Sequence, residues 1–160
     1  MRIAIAAVGK LKQGPERELF QHYWQRLEAA GRGVALSPLR HDEIAESRAA
    51  NVEARKRDET DRLIKTSGDC EICVALDGAG KALSSEAFAA WLRSRRDAGA
   101  KGMSFLIGGP DGHGRAALEA AQLVLSLGPM TLTHGLARVV LAEQLYRSAT
   151  LIAGHPYHRA

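Results

Sequence analysis

The chain has 160 residues, of which 46% are hydrophobic and 25% charged, a composition typical of a globular protein with a substantial core. No apolar run approaches the roughly 18 residues that a membrane span requires, and the run Ile3–Val8 is too short for a signal peptide, so we expect a cytoplasmic protein. The net charge of +4 suits an anionic partner such as RNA but does not by itself establish one.

The first half of the chain alternates between strand-like and helix-like patterns. Leu19, Tyr23 and Leu27 recur every four residues, as expected for one face of a helix. Gly31 and Gly33 are predicted to end that helix. The expected order is a strand over residues 2–8, a helix from 15 to about 30, a short strand over 34–39, and a long charged helix from about 44 to 65.

The second half continues the alternation. Asp77 and Gly78 are expected to break a third strand, and Ser84 or Ser85 can cap the helix that follows. The run at 103–107 is apolar enough for a strand covered on both faces. The expected order is a strand over 71–76, a helix after Ser85, a strand over 103–107, a helix around 115–121, a strand around 123–127, and a helix from about 136 to 148.

Five strands alternating with helices predict an α/β fold. Its sheet should be mostly parallel, with helices on both faces. The chain shows no internal repeat and no linker, so we expect one domain over residues 1–160.

Two features of the middle of the chain are weak signals. Over residues 40–65, seven Lys/Arg are matched by seven Asp/Glu, which indicates a solvated helix face; only the triplet Arg55-Lys56-Arg57 keeps RNA contact open. Cys70 and Cys73 form C-x-x-C, but they do not sit at a strand-to-helix junction and have no further ligands at zinc spacing. We therefore interpret them as plain thiols.

Two glycine patterns resemble nucleotide-binding loops but fail in detail. The stretch around Gly80-Lys81 lacks the first Gly and the Ser/Thr of a phosphate loop, where Ala75 and Ala82 stand instead. Gly112-His-Gly114 matches G-x-G-x-x-A, but no acidic residue follows at the place where a dinucleotide's ribose would need one.

A more informative pair of loops follows the last two predicted strands. Gly108-Gly109-Pro110 follows one and residues 127–132 follow the other, while Leu76-Asp77-Gly78 ends a third strand. Loops at the carboxyl ends of neighbouring parallel strands form a crevice that can hold a purine by main-chain hydrogen bonds and apolar packing. From the spacing alone, ordinary turns explain these loops equally well.

The C-terminal region combines a helix that is apolar on nearly its whole circumference with a polar tail. Such a helix must be buried by its own fold or by a partner. Glu143 and Arg147 are spaced for a helix ion pair, or Arg147 could shape a substrate pocket. The tail His155-Pro156-Tyr157-His158-Arg159 offers groups that stack on bases, contact phosphate and exchange protons, so we expect it on the substrate side.

Residue for residue, the chain resembles the ribosomal large-subunit RNA methyltransferase H family of the SPOUT superfamily. The resemblance begins with IAAVGKLK and covers essentially the whole chain. It is densest in LIGGPDG, MTLTH, LARVVLAEQLYRSATLI and GHPYHR. The one departure is Thr133, where a proline is expected before the histidine.

The resemblance implies a fold, a reaction and a site. Its members are homodimers whose C-terminal half is tied in a trefoil knot, and they use S-adenosylmethionine to methylate ring nitrogen 3 of a pseudouridine in 23S ribosomal RNA, on the large subunit or the assembled ribosome. The residues that match the cofactor loops are Leu76, Gly108, Leu127, Gly128, Pro129, Met130, Thr131 and Leu132.

Methyl transfer from a sulfonium requires no metal and depends on placing the nucleophile. A base, or a charge that favours the deprotonated imide, should help. The candidates are His134, Arg147, His155, Tyr157, His158 and Arg159. We expect the dimer to join one subunit's cofactor pocket to the other subunit's tail. The alternative is a non-catalytic RNA-binding protein of the ribosome that has kept the fold.

Overall fold

The computed structural model describes residues 1–155 and Tyr157, in which five strands alternate with five helices. The strands are β1 (Arg2–Val8), β2 (Leu39–Ile44), β3 (Ile72–Ala82), β4 (Gly102–Ile107) and β5 (Leu123–Ser126). The helices are α1 (Pro15–Gly33), α2 (Val52–Ser67), α3 (Ser85–Asp97), α4 (Arg115–Ala120) and α5 (His134–Ile152).

The strands form one sheet in the order β2-β1-β4-β3-β5, and every pairing between neighbours is parallel. This confirms the predicted α/β class. Because β1 and β4 are covered on both sides, their residues are almost all buried, as the continuous apolar runs predicted.

The two faces of the sheet have separate cores. Ile3, Ile5 and Phe105 pack in the larger cluster, which includes buried side chains of α1, α3 and α5. Ala6, Val8 and Leu106 point the other way, toward Leu63 of α2 and Ala117 of α4. Helices therefore cover both faces, as predicted. The single domain over residues 1–160 and the trefoil knot stay predictions.

Two predicted elements near the sheet edge were wrong. Residues 34–38 form a turn: Leu36 donates its N–H to the Gly31 carbonyl at 2.8 Å, and Ala35 has a positive φ of 55°. Val34 and Leu36 are buried because this turn folds against the core, and the strand follows at Leu39. Ile44 then ends β2 instead of opening a helix; α2 begins at Val52, where the Asn51 side chain accepts the Ala54 N–H at 2.8 Å.

Smaller boundary differences are found elsewhere. Helix α1 runs through Gly31 and ends at Gly33. Strand β3 continues past Asp77 and Gly78 to Ala82, with a register shift between Leu76 and Lys81. Of the two proposed caps of α3, Ser84 is the one found, accepting the Ala87 N–H. Helix α5 is longer than predicted at both ends.

None of the described helices is long and apolar enough to cross a membrane.

Candidate functional site

A cavity of about 270 Å³ lies where β4 and β5 end and α5 begins, beside the register shift of β3 at Leu76. The parallel strands bring their carboxyl ends to one edge of the sheet, so the loops after them meet there. Every cofactor residue predicted from the sequence lines this cavity: Leu76, Gly108, Leu127, Gly128, Pro129, Met130, Thr131 and Leu132. Further lining residues include Asp77, Gly109, His113, His134 and Ala137.

One wall is residues 108–114, which we call the Gly108 loop. The loop is held to α2 by a buried hydrogen bond, in which Gly114 donates its N–H to the Thr60 hydroxyl at 2.9 Å. Within the loop, Gly112 donates its N–H to the Gly109 carbonyl at 2.9 Å. A Cβ on Gly109 would overlap the Glu59 carboxylate, whose side chain is itself buried. This wall is therefore packed against α2, and a larger residue at Gly109 would displace the buried Glu59 carboxylate.

An ion pair also anchors the Gly108 loop. Arg55 Nε lies 2.7 Å from Asp111 Oδ2, with both side chains slightly under one third exposed. The Arg55 guanidinium lowers the pKa of the Asp111 carboxyl, so this pair is charged at neutral pH. Within the basic triplet Arg55-Lys56-Arg57, Arg55 therefore holds the Gly108 loop in place through this ion pair.

The opposite wall is residues 127–132, which we call the Leu127 loop. Gly128 has a φ of 128°, a conformation that favours glycine, yet no atom crowds the position of its missing Cβ. Pro129, Met130 and Thr131 are exposed, and Met130 is 81% exposed. The Ser126 hydroxyl and Gly128 share hydrogen bonds of 3.1 and 3.2 Å at the start of the loop.

Thr133 closes the Leu127 loop by capping α5. Its hydroxyl accepts the Leu136 N–H at 3.2 Å and donates to Glu16 at 3.1 Å. The residue that departs from the family pattern therefore has a defined role in this chain, since a threonine side chain satisfies a free N–H at the helix start.

His113 is a pocket residue that the sequence reasoning missed. The residue is 5% exposed, and neither ring nitrogen has a hydrogen-bond partner among the described residues. Burial lowers the pKa of His113, while Asp77 and the nearby backbone of Leu106 and Leu76 oppose that shift. The His113 ring thus forms part of the cavity wall, with both of its nitrogens buried near the backbone of Leu106 and Leu76. Its position in the glycine-rich loop after β4 indicates a pocket residue, but the sequence analysis assigned only Gly108 of this loop to the site.

The proposed catalytic residues do not meet within one protomer. His134 lines the cavity at the first residue of α5. Arg147 lies thirteen positions further along the same helix, which places it about 20 Å away along the helix axis. Tyr157 contacts Arg147, whose guanidinium lies 5.1 Å from the centre of its ring. His158 and Arg159 lie outside the described residues.

Glu143 joins the groups at this far end of α5. It pairs with Arg147 at 2.7 Å, confirming the predicted ion pair, and accepts the Tyr157 hydroxyl at 3.4 Å. Burial, followed by the negative charge of Glu143, raises the pKa of Tyr157 to about 12. His155 is exposed, and its Nδ1 accepts the Tyr157 N–H at 3.2 Å. We call Arg147, His155 and Tyr157 the tail cluster.

The cysteines form no disulfide. Burial raises the pKa of both thiols, that of Cys73 to about 11. Low-pKa thiolates are the reactive form of cysteine, so these groups are poorly suited to redox chemistry. In the described part of the chain, no cluster of His, Cys, Asp or Glu is arranged to hold a metal ion.

Comparison with known proteins identifies the family. Residues 1–158 match the family described as predicted SPOUT methyltransferases. The chain belongs to the SPOUT methyltransferase family. It is therefore an enzyme of the methyltransferase class, which favours the catalytic interpretation over the non-catalytic alternative.

Relatives named ribosomal RNA large subunit methyltransferase H match the chain over its length. The protein of Rhizobium meliloti is 51% identical over 160 residues, covering 100% of both chains. That of Rhizobium leguminosarum bv. trifolii is 49% identical over 159 residues, covering 99% of both. A solved structure of a probable methylase family protein from Haemophilus influenzae has the same general fold, with a TM-score of 0.52 at 11% identity, covering 98% of this chain and 69% of that one.

Proposed function

We propose that this SPOUT methyltransferase transfers a methyl group from S-adenosylmethionine to ring nitrogen 3 of a pseudouridine in 23S ribosomal RNA, on the large subunit or the assembled ribosome. The observation that carries the proposal is the cavity at the carboxyl edge of the sheet, lined by every residue that matches the family's cofactor loops. The names of the relatives, over the full length of the chain, support a large-subunit RNA substrate. We place the enzyme in the cytoplasm, where ribosomes are its target.

The residues present fit such a cofactor. The glycines at 108, 109 and 128 leave backbone amides and carbonyls accessible, and Leu76, Leu127 and Leu132 supply apolar surface for a purine. When bound, S-adenosylmethionine supplies a methyl group already activated on a sulfonium, so the protein's work is to hold and orient it and to exclude water.

The separation between His134 and the tail cluster supports a composite site in a homodimer. A distance of about 20 Å is too long for one protomer's tail cluster to reach its own cavity. Large apolar side chains remain exposed on α1, on α5 and beside the cavity, namely Leu19, Leu136 and Met130. A second copy that covers these side chains would bring its own tail cluster to the cavity, and a twofold dimer would do so twice.

The tail cluster has defined chemical roles in this proposal. Tyr157, whose pKa is about 12, keeps its proton at neutral pH and therefore serves as a donor or stacking surface. The guanidinium of Arg147 favours the deprotonated imide of the target base by its charge. His155 and, on the cavity side, His134 are the proposed general bases. Arg159 is proposed to contact RNA phosphate.

Calorimetric titration with S-adenosylmethionine, in parallel with NAD, tests the cofactor. We expect saturable binding of the former alone. Radiolabelled methyl transfer to ribosomes that lack the modification then tests the acceptor, followed by mapping of the methylated nucleotide. Cofactor binding without transfer to any ribosomal particle would overturn the proposed acceptor. If the protein neither binds S-adenosylmethionine nor transfers a methyl group, the non-catalytic RNA-binding role becomes the better interpretation.

Mixed dimers test the composite site. A variant with a defective tail, Arg147→Met, and a variant with a displaced cavity wall, Gly108→Val, whose added side chain would meet the backbone of Gly112 and His113, are each expected to be inactive. If the site is shared, half of the randomly mixed dimers regain one of two sites, giving about a quarter of wild-type activity. If each site lies within one protomer, mixing restores nothing.

A further inference from the structure

Two more cavities lie beside the cofactor cavity, toward the other end of the sheet. The first, of about 680 Å³, lies between residues 9–16, which follow β1, and the start of α5. The second, of about 530 Å³, lies between α1 and β2, with Trp24 and His41 among its lining residues. The proposed reaction uses neither of them.

Shared lining residues show that the three cavities are neighbours. His134 lines both the cofactor cavity and the first additional cavity. Lys10 and Leu11 line both additional cavities. The surface from His134 past residues 10–12 to Trp24 is therefore a row of adjacent concave sites. We call the two additional cavities together the α1 groove.

The α1 groove carries unpaired positive charge. Lys10, Lys12 and Arg17 are exposed, and none of them makes an ion pair with a described residue. Two of the nearby carboxylates are already engaged. Glu43 accepts the Leu11 N–H at 2.7 Å and pairs with buried Arg138 at 2.8 Å, and Glu16 accepts the Thr133 hydroxyl. Glu46 remains exposed at the rim.

Aromatic rings form the far end of the α1 groove. Phe20 stacks on Trp24 with ring centres 5.5 Å apart, and the His41 ring lies 4.6 Å from Phe20 and 6.0 Å from Trp24. Phe20 is buried and braces the half-buried Trp24, which lines the cavity. A braced aromatic surface next to free cations is the arrangement by which proteins bind single-stranded nucleic acid, with bases on the rings and phosphates on the cations.

We propose that the α1 groove binds a single-stranded segment of the RNA substrate next to the target nucleotide. Lys10 and Arg17 contact its phosphates, and Trp24 stacks on one of its bases. The inference rests on the proposed RNA substrate but adds a binding site distinct from the cofactor cavity and the tail cluster. It provides a surface outside the cofactor cavity that would hold the strand that carries the target.

The test is a charge reversal with a matched control. K10E/R17E changes the α1 groove, and K65E/K101E makes the same change in charge at exposed lysines outside it. Trp24→Leu removes the stacking ring and Trp24→Phe retains an aromatic surface. Each variant is first checked for thermal unfolding and for calorimetric binding of S-adenosylmethionine. The readouts are KM and kcat for ribosomes, and the salt dependence of binding to a labelled single-stranded RNA oligonucleotide.

We expect K10E/R17E to raise the KM for ribosomes by about tenfold, with kcat and cofactor affinity unchanged. The slope of log affinity against log salt should become shallower by about 0.7 for each phosphate that the variant no longer neutralises. Trp24→Leu should weaken RNA binding by about fivefold without changing that slope, and Trp24→Phe should restore most of it. A purely structural role for these residues would not move the salt slope.

The outcomes separate this inference from the proposed function. If wild-type enzyme methylates ribosomes and K10E/R17E behaves like K65E/K101E, the α1 groove proposal is overturned and the function stands. If no ribosomal particle is methylated but RNA binding still depends on Lys10, Arg17 and Trp24, the groove stands and the proposed reaction falls. If the wild-type protein binds neither ribosomes nor the oligonucleotide, both fall.

Discussion

The two walls of the cofactor cavity are built from similar residues but differ in how the protein holds them. The Gly108 loop is held by α2 through Glu59, Thr60 and the Arg55–Asp111 ion pair. The middle of the Leu127 loop is more open, although Leu127 itself packs against the core: no described atom lies within 4 Å of the missing Cβ of Gly128, and Met130 is 81% exposed. Glycine is required for lack of space in the first wall and for backbone conformation in the second.

This difference suggests a division of labour. The Gly108 loop fixes one side of the cavity in the free protein, so its contribution to cofactor binding is organised in advance. The Leu127 loop keeps apolar side chains in solvent, where the cofactor or a second subunit can cover them. Substitutions in the Gly108 loop should therefore mainly lower the stability of the protein, whereas substitutions in the Leu127 loop should mainly weaken cofactor binding.

The largest effect is expected for Gly109→Ala. The added methyl group would overlap the Glu59 carboxylate and contact Val8, so the buried glutamate must move and lose its hydrogen bond from Ser47. We expect a loss of about 2–4 kcal/mol in the free energy of unfolding, measured by urea denaturation. Gly33→Ala is the control, because no atom lies within 4 Å of its added Cβ. Equal stability of the two variants would show that the Gly108 loop is not held as described.

Gly128→Ala should cost less stability and act mainly on cofactor binding. The alanine meets no neighbouring atom but must adopt a φ of 128°, which strains an L-residue by about 1–2 kcal/mol. The loop can relieve that strain by leaving its conformation, since little packs against it. Calorimetry should therefore show weakened binding of S-adenosylmethionine with little change in the urea midpoint. A large drop in the midpoint would contradict the contrast between the walls.

Thr133→Ala should destabilise the end of the Leu127 loop modestly. It removes the cap of α5 and the hydrogen bond to Glu16, at a cost of about 1 kcal/mol in unfolding free energy. Thr133→Ser keeps the hydroxyl and should retain most of the stability. If the serine variant is as unstable as the alanine variant, the hydroxyl is not the stabilising group.

The smallest effect is a pH dependence that originates at His113. Because burial lowers its pKa, the unfolded chain takes up this proton at higher pH than the folded protein does. Folded stability should therefore be complete above about pH 6.5 and fall as the pH drops from 6.5 toward the lowered pKa. In His113→Leu this fall should be shallower. His41, whose pKa is also lowered by burial, is unchanged in the variant, so the difference between the two unfolding curves isolates His113.

The sequence predicted best where apolar runs are continuous. Strand β4 is buried at every residue and was located to within one position, whereas β2 was missed because Arg40, Asp42 and Glu43 make an edge strand look like a loop. Val34 and Leu36 gave the opposite error, since a turn folded against the core has the same apolar composition as a short strand.

The site was predictable in its backbone and not in its supporting side chains. Glycines after apolar strands, together with the family resemblance, indicated the lining of the cavity. Nothing in the sequence pairs Arg55 with Asp111, or places Glu59 behind Gly109, because these contacts join residues about fifty positions apart. The distance between His134 and the tail cluster follows from the continuity of α5, which the sequence predicted only as a shorter helix.

The sheet order also affects how the chain acquires its structure during synthesis. One edge of β1 pairs with β2, which is the next strand in the sequence. The other edge pairs with β4, with Ile3 opposite Met103, and β4 is synthesised much later. At roughly 5–20 residues per second, that partner is synthesised about 5–20 s after β1. Throughout this interval a buried strand of the finished enzyme presents an open, apolar edge. Translation pausing or chaperone binding while residues 44–102 are being synthesised should therefore influence the yield of folded protein.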